Sequence, residues 1–187
     1  MPLLQTKADA SAWGYGFLGV TASTSNFYQI QQLSPSAVST VTFSSIPSTY
    51  KSLQVRFNLT TSVSSYWQIQ FNGDTAGNYP YHNLYSIGST TGASGAASQT
   101  ALFISNGHTV TTYPNVGIAD IVDYANTNKN KTIKAISGSN NNTAGGVGAG
   151  NIELASGAWL STAAITSLTF FVGSGTFTGT ITLYGVS

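Results

Sequence analysis

The chain has no cysteine, one methionine, two histidines and five prolines in 187 residues. Without thiols, a disulfide framework and thiolate metal ligands are excluded. Charge is equally scarce. Six Lys or Arg and five Asp or Glu make up 6% of the residues, against about 25% in an average soluble protein. A net charge of +1 gives no basic excess for a phosphate backbone, so no nucleic-acid partner is expected. The low charge and the 41% apolar content also exclude a disordered chain. No run of 18 apolar residues occurs, so no membrane-spanning helix is expected. Lys7 and Asp9 interrupt the opening stretch, and glycines break Ala12 to Ala22, unlike the apolar centre of a secretion signal.

What the chain does contain is 25 Ser, 25 Thr and 20 Gly, with 12% aromatic residues. Thr, Tyr, Phe, Val and Ile suit strands, whereas the helix-favouring Glu and Lys are rare. The composition predicts an all-β fold. A weakly charged surface provides little self-repulsion. That suits a chain held inside an assembly, and it equally suits a lone extracellular β-domain.

Residues 1–26 differ from the rest. Trp13, Tyr15, Phe17 and Leu18 sit among Gly14, Gly16 and Gly19. Glycine at this density weakens regular elements, and large aromatic side chains need cover. The stretch reads as an N-terminal attachment arm, with these four residues as an assembly interface; folding back on its own domain is the alternative. Residues 27–187 read as one β-sandwich domain.

Strand-like alternation begins at Phe27. Val41 and Phe43 share a face. Leu53, Val55, Phe57 and Leu59 alternate with polar residues, and so do Trp67, Ile69 and Phe71. Asn72-Gly73-Asp74 is turn chemistry. Gly88 to Ser98 and Ser137 to Gly150 read as long loops, Val116 to Tyr124 as a strand or a helical turn, and Thr132 to Ile136 as a short strand. Leu168, Phe170 and Val172, then Gly173-Ser174-Gly175, then Phe177, Gly179, Ile181 and Leu183 read as a hairpin. About eight short strands at this spacing predict an antiparallel β-sandwich of jelly-roll-like type.

Catalytic chemistry finds few residues to work with. The carboxylates are Asp9, Asp74, Asp120, Asp123 and Glu153. Asp120 and Asp123 are near in sequence, but a spacing of three on a strand puts them on opposite faces. Lys129, Lys131 or Lys134 are their expected ion-pair partners. His82 and His108 lack the spacing of zinc ligands. No Gly-x-Ser-x-Gly elbow and no phosphate or dinucleotide loop is present. The expectation is a chain that is not an enzyme and carries no cofactor or metal. Tyr79, Tyr81 and Tyr85 could stack on a sugar ring, although aromatics in β-rich chains more often serve a core or an interface.

Three stretches carry a resemblance. Val41 to Arg56 (VTFSSIPSTYKSLQVR), Gln70 to Tyr79 (QFNGDTAGNY) with His82 and Leu84, and Gly157 to Thr169 ending in Ile181 to Gly185 resemble segments of structural proteins of tailed bacteriophages. Asp120 to Lys134 (DIVDYANTNKNKTIK) is similar to the connecting segment of that family. The matches run in the same order over roughly residues 27–187. The resemblance implies a virion component with a jelly-roll-like sandwich, assembled in the host cytoplasm. Within that class the expectation is a capsid decoration protein (cement or head fibre), homotrimeric. Its partners would be other virion proteins, the major capsid protein or tail components, with no nucleic acid and no membrane. The alternative is a tail-fibre or receptor-binding protein that contacts a host-surface glycan.

Overall fold

The structure is a computed structural model that describes residues 26–105, 113–139 and 150–187. The expected interface residues Trp13, Tyr15, Phe17 and Leu18 lie outside the described residues. Within them the chain forms twelve strands and no helix. These are β1 (Phe27–Leu33), β2 (Thr40–Phe43), β3 (Ser52–Thr61), β4 (Trp67–Phe71), β5 (Tyr81–Ile87) and β6 (Thr90–Ala96). They continue with β7 (Leu102–Ser105), β8 (Asn115–Val122), β9 (Lys131–Ser139), β10 (Asn151–Trp159), β11 (Leu168–Val172) and β12 (Phe177–Val186). The all-β antiparallel sandwich read from the sequence is the observed architecture.

An eight-stranded sheet runs in the order β1-β12-β3-β8-β9-β10-β5-β6, and a four-stranded sheet runs β2-β11-β4-β7. Every pairing is antiparallel. The small sheet covers the inner face of the large one. Leu53, Val55, Phe57 and Leu59 point inward from β3, and Ile181 and Leu183 from β12. They meet Trp67, Ile69 and Phe71 of β4 and Leu168 and Phe170 of β11. Four rings lie at the centre: Trp67 is 5.8 Å from Phe57, 5.4 Å from Phe170 and 5.6 Å from Phe177 between centroids. Offset and edge-on aromatic contacts of this kind add about 0.5–1.5 kcal/mol each beyond the area they bury. Trp67 Nε1 is buried there without a hydrogen-bond partner, so packing rather than polar pairing holds the indole.

Three expectations change. Leu168–Val172 and Phe177–Val186 are not a hairpin, because β11 belongs to the small sheet and β12 to the large one. The segment between them is a corner. Ser65 Oγ accepts from Ser174 N (2.8 Å), Ser62 Oγ accepts from Thr176 N (2.9 Å), and Gly175 adopts φ +74°. Alternation in both strands fits either arrangement; the serine anchors of the 62–65 loop decide it.

Gly88 to Ser98 is not a long loop either. Gly88 (φ +55°) and Ser89 form a tight turn, and β6 pairs along the whole of β5. Its glycines permit this pairing. A Cβ on Gly92 would lie 2.6 Å from the Tyr85 hydroxyl oxygen, and one on Gly95 would lie 2.7 Å from the Tyr81 carbonyl oxygen. The small residues that suggest a loop are there because side chains and backbone of β5 cross over them.

The third change is the length of β9. It extends through Ser139, and Asn151–Trp159, unmarked by alternation of large residues, forms β10 beside it.

Candidate functional site

The sequence-derived site residues fall as follows. Tyr79 is removed from any surface: its ring is fully buried against Phe71, and Phe71 N donates to its hydroxyl at 3.0 Å. Burial pushes its phenol up to about 12. Tyr81 is half-buried on the inner side, its ring 4.8 Å from that of Phe103. Tyr85 is half-buried, lying across Gly92. The three rings are not presented together to solvent, which corrects the picture of a sugar-stacking platform.

The carboxylates are dispersed. Asp74 accepts from Ala76 N (2.9 Å), Asn78 Nδ2 (2.9 Å) and Trp159 Nε1 (2.7 Å), tying the 72–79 loop to the end of β10. The bond from Asn78, then that from Trp159, holds its carboxyl below the usual carboxylate range. Asp123 sits in a turn at φ +57° and pairs with exposed Lys129 at 3.6 Å. Asp120 projects outward and accepts from Gln54 Nε2 at 2.6 Å. Lys131 does not pair with either aspartate. It is wholly buried, and its Nζ donates to the carbonyls of Asn126 (2.6 Å), Lys129 (2.7 Å), Thr162 (3.1 Å) and Ser161 (3.5 Å). Desolvation lowers its pKa. This amine clasps the β8–β9 loop to the segment after β10. Among the described residues no three of His, Asp and Glu come together in a cluster that could hold a metal ion.

The unusual feature is the outer face of the large sheet. Cross-strand register lays it out in rows. One row is Arg56, Ile118, Ile136, Leu154, Leu84 and Ala93, running from β3 to β6. The row beside it is Asn58, Val116, Gly138, Ile152, Ser86 and Thr91. On the other side lie Gln54, Asp120, Lys134, Ser156, His82 and Gly95. The aliphatic side chains of the first two rows are 38% to 61% exposed, although they adjoin one another. A shallow open groove of about 820 Å³ runs over them, lined by Val116, Ile118, Ile136 and Ile152 and floored where Gly138 lacks a side chain. Scattered surface leucines need no explanation, but a contiguous apolar patch marks a place where something docks.

The strands beneath this patch are inverted. On β10, Glu153 points inward and is buried, while Ile152 and Leu154 point out. On β5, buried Asn83 alternates with exposed Leu84. On β9, Ser137 and Ser139 are inside and Ile136 outside. The buried polar groups are bonded. Asn83 Nδ2 donates to a Glu153 carboxylate oxygen, Ser94 Oγ donates to Asn83 Oδ1 at 2.6 Å, and Ser137 Oγ donates to the Ile104 carbonyl at 3.3 Å. Period-two patterning normally places polar residues outside. Here the outer side chains are the more apolar set, the arrangement of a sheet covered on both faces.

The sequence reading missed Leu84, Val116, Ile118, Ile136, Ile152 and Leu154. A signal was available in β8, where Asn115–Val122 carries apolar residues at both parities, the mark of a strand buried on two sides. Searches of protein families, of curated proteins and of solved structures find no match to this chain.

Proposed function

We propose that this chain is a non-enzymatic structural component of a tailed-bacteriophage particle, placed on the capsid surface as a decoration protein. The observation that carries the reading is the open apolar half of the large sheet. A protein-binding face of this kind is what an assembly component requires, and a soluble monomer rarely leaves one bare. The phage-like segments supply the kind of assembly. The scarcity of charge agrees, since a particle-bound chain has less need of self-repulsion for solubility. The tail-fibre alternative with glycan contact through Tyr79, Tyr81 and Tyr85 draws no support from rings that turn inward.

The test is mass spectrometry of gradient-purified phage particles, with the chain located in the particle density by electron cryo-microscopy. The reading expects the chain at a fixed ratio to the major capsid protein, on the outside of the head. Purified particles free of the chain would overturn it.

A further inference from the structure

We infer that the apolar half-face is the contact surface for a second copy of this chain, the two large sheets packing face to face about a two-fold axis parallel to the strands between β9 and β10. The inference rests on the assembly reading above and names the partner at that face.

The argument is the register. A two-fold contact must match a surface to itself. Rotation about the stated axis exchanges β9 with β10 and β8 with β5. Ile136 of one copy then faces Leu154 of the other, and Ile118 faces Leu84, so the four aliphatic residues of the row meet one another, with Arg56 over Ala93 at either end. In the adjacent row the missing side chain of Gly138 faces the projecting Ile152, a hole opposite a knob. In the polar row Asp120 faces His82, Lys134 faces Ser156, and Gln54 faces Gly95. No like charges oppose one another. Shifting the axis by one strand, to lie between β8 and β9, keeps Ile118 on Ile136 and sets Asp120 on Lys134, but it puts the Arg56 guanidinium on Leu154 and Leu84 on Thr182, so two of the aliphatic side chains lose an apolar partner. Strands that stay nearly aligned across the contact are also the common geometry for two packed sheets, within about 30°.

Area agrees with this. The exposed aliphatic side chains leave on the order of 500 Å² of apolar surface, the upper range for a patch on a monomer. Two copies together would bury about 1,000 Å² from the patch alone, and the polar rows at its rim bring the total into the range of a specific interface, about 1,200–2,000 Å².

The absence of cysteine allows a clean test on the full chain. Ile136→Cys and Leu154→Cys are prepared separately, mixed, and treated with a short bis-maleimide, with Thr180→Cys as a control on the opposite half of the same face. The expected result is a covalent pair in the mixture and none from Thr180→Cys. A second variant, Leu154→Lys, leaves the inner face untouched and is expected to weaken pairing at least about a hundredfold by sedimentation. A mixture that stays uncrosslinked, or a Leu154→Lys chain that pairs as tightly as the parent, overturns the inference. Failure here with the chain still present on particles removes the second copy and leaves the particle reading intact. A crosslinked pair from a chain absent from particles does the reverse.

Discussion

One continuous sheet carries two outer faces of opposite character. On the β1–β12–β3 half the outward residues are mostly Gln, Thr, Asn and Arg, with Phe27 and Tyr184 set against the arginine. Arg56 Nε donates to Gln54 Oε1 at 2.6 Å, Gln54 passes the connection to Asp120, and the guanidinium lies 4.7 Å from the ring centroids of both Phe27 and Tyr184. On the β8–β9–β10–β5 half two adjoining outward rows carry Val116, Ile118, Ile136, Ile152, Leu154 and Leu84 beside a polar row of Asp120, Lys134, Ser156 and His82, and Asn83, Ser137 and Glu153 have moved inside. Strand pairing, twist and covering sheet are shared between the halves, so secondary structure does not explain the difference. What differs is the chemistry each half presents: hydrogen-bonding groups on one side, an exposed aliphatic patch on the other.

The two halves should answer differently to the same change. Aspartate at Ile136 is expected to weaken self-association at least about a hundredfold, about 2.7 kcal/mol, while aspartate at Thr180 leaves it unchanged. Sedimentation velocity reads both, and equal effects at the two positions would erase the distinction. Next in size is Lys131→Met. It strands the carbonyls that the buried amine holds where the β8–β9 loop meets the segment after β10, and it should cost about 2 kcal/mol in urea unfolding. Lys129→Met, which loses an exposed ion pair, should stay within about 0.5 kcal/mol.

On the polar half, Arg56→Ala removes the cation from between two rings and should cost about 1 kcal/mol of stability in urea unfolding. One further effect lies beneath the surface and shows only in alkali. With its folded pKa raised to about 12, Tyr79 contributes stability that is fully present below pH 10 and is lost as pH rises through 12. Burial raises the Tyr124 phenol as well, so absorbance at 295 nm should show both titrating late, and Tyr79→Phe should remove one of the two.

Alternation made the core strands readable. Leu53 to Leu59 and Trp67 to Phe71 announce which side is buried because their other side is polar. The same rule fails beneath the apolar patch. In Ile152-Glu153-Leu154 and Asn83-Leu84 the period of two is present but points the wrong way, since the polar residue is the buried one. Small residues misled in a second way. β6 is written in Thr, Gly, Ala and Ser, the vocabulary of a loop, and becomes a strand because Tyr85 and the Tyr81 carbonyl leave no room for larger side chains. Sheet membership of β11 and β12 depends on Ser62 and Ser65, more than a hundred residues away in sequence, which local patterning does not reach.

The central claim, that the inverted half of the large sheet is a protein contact surface already used by a second copy, is tested most directly by sedimentation equilibrium of the unmodified full chain at micromolar concentration. The account predicts a species of twice 19.4 kDa that gives way to the single chain on dilution. A mass of 19.4 kDa at every concentration would contradict it.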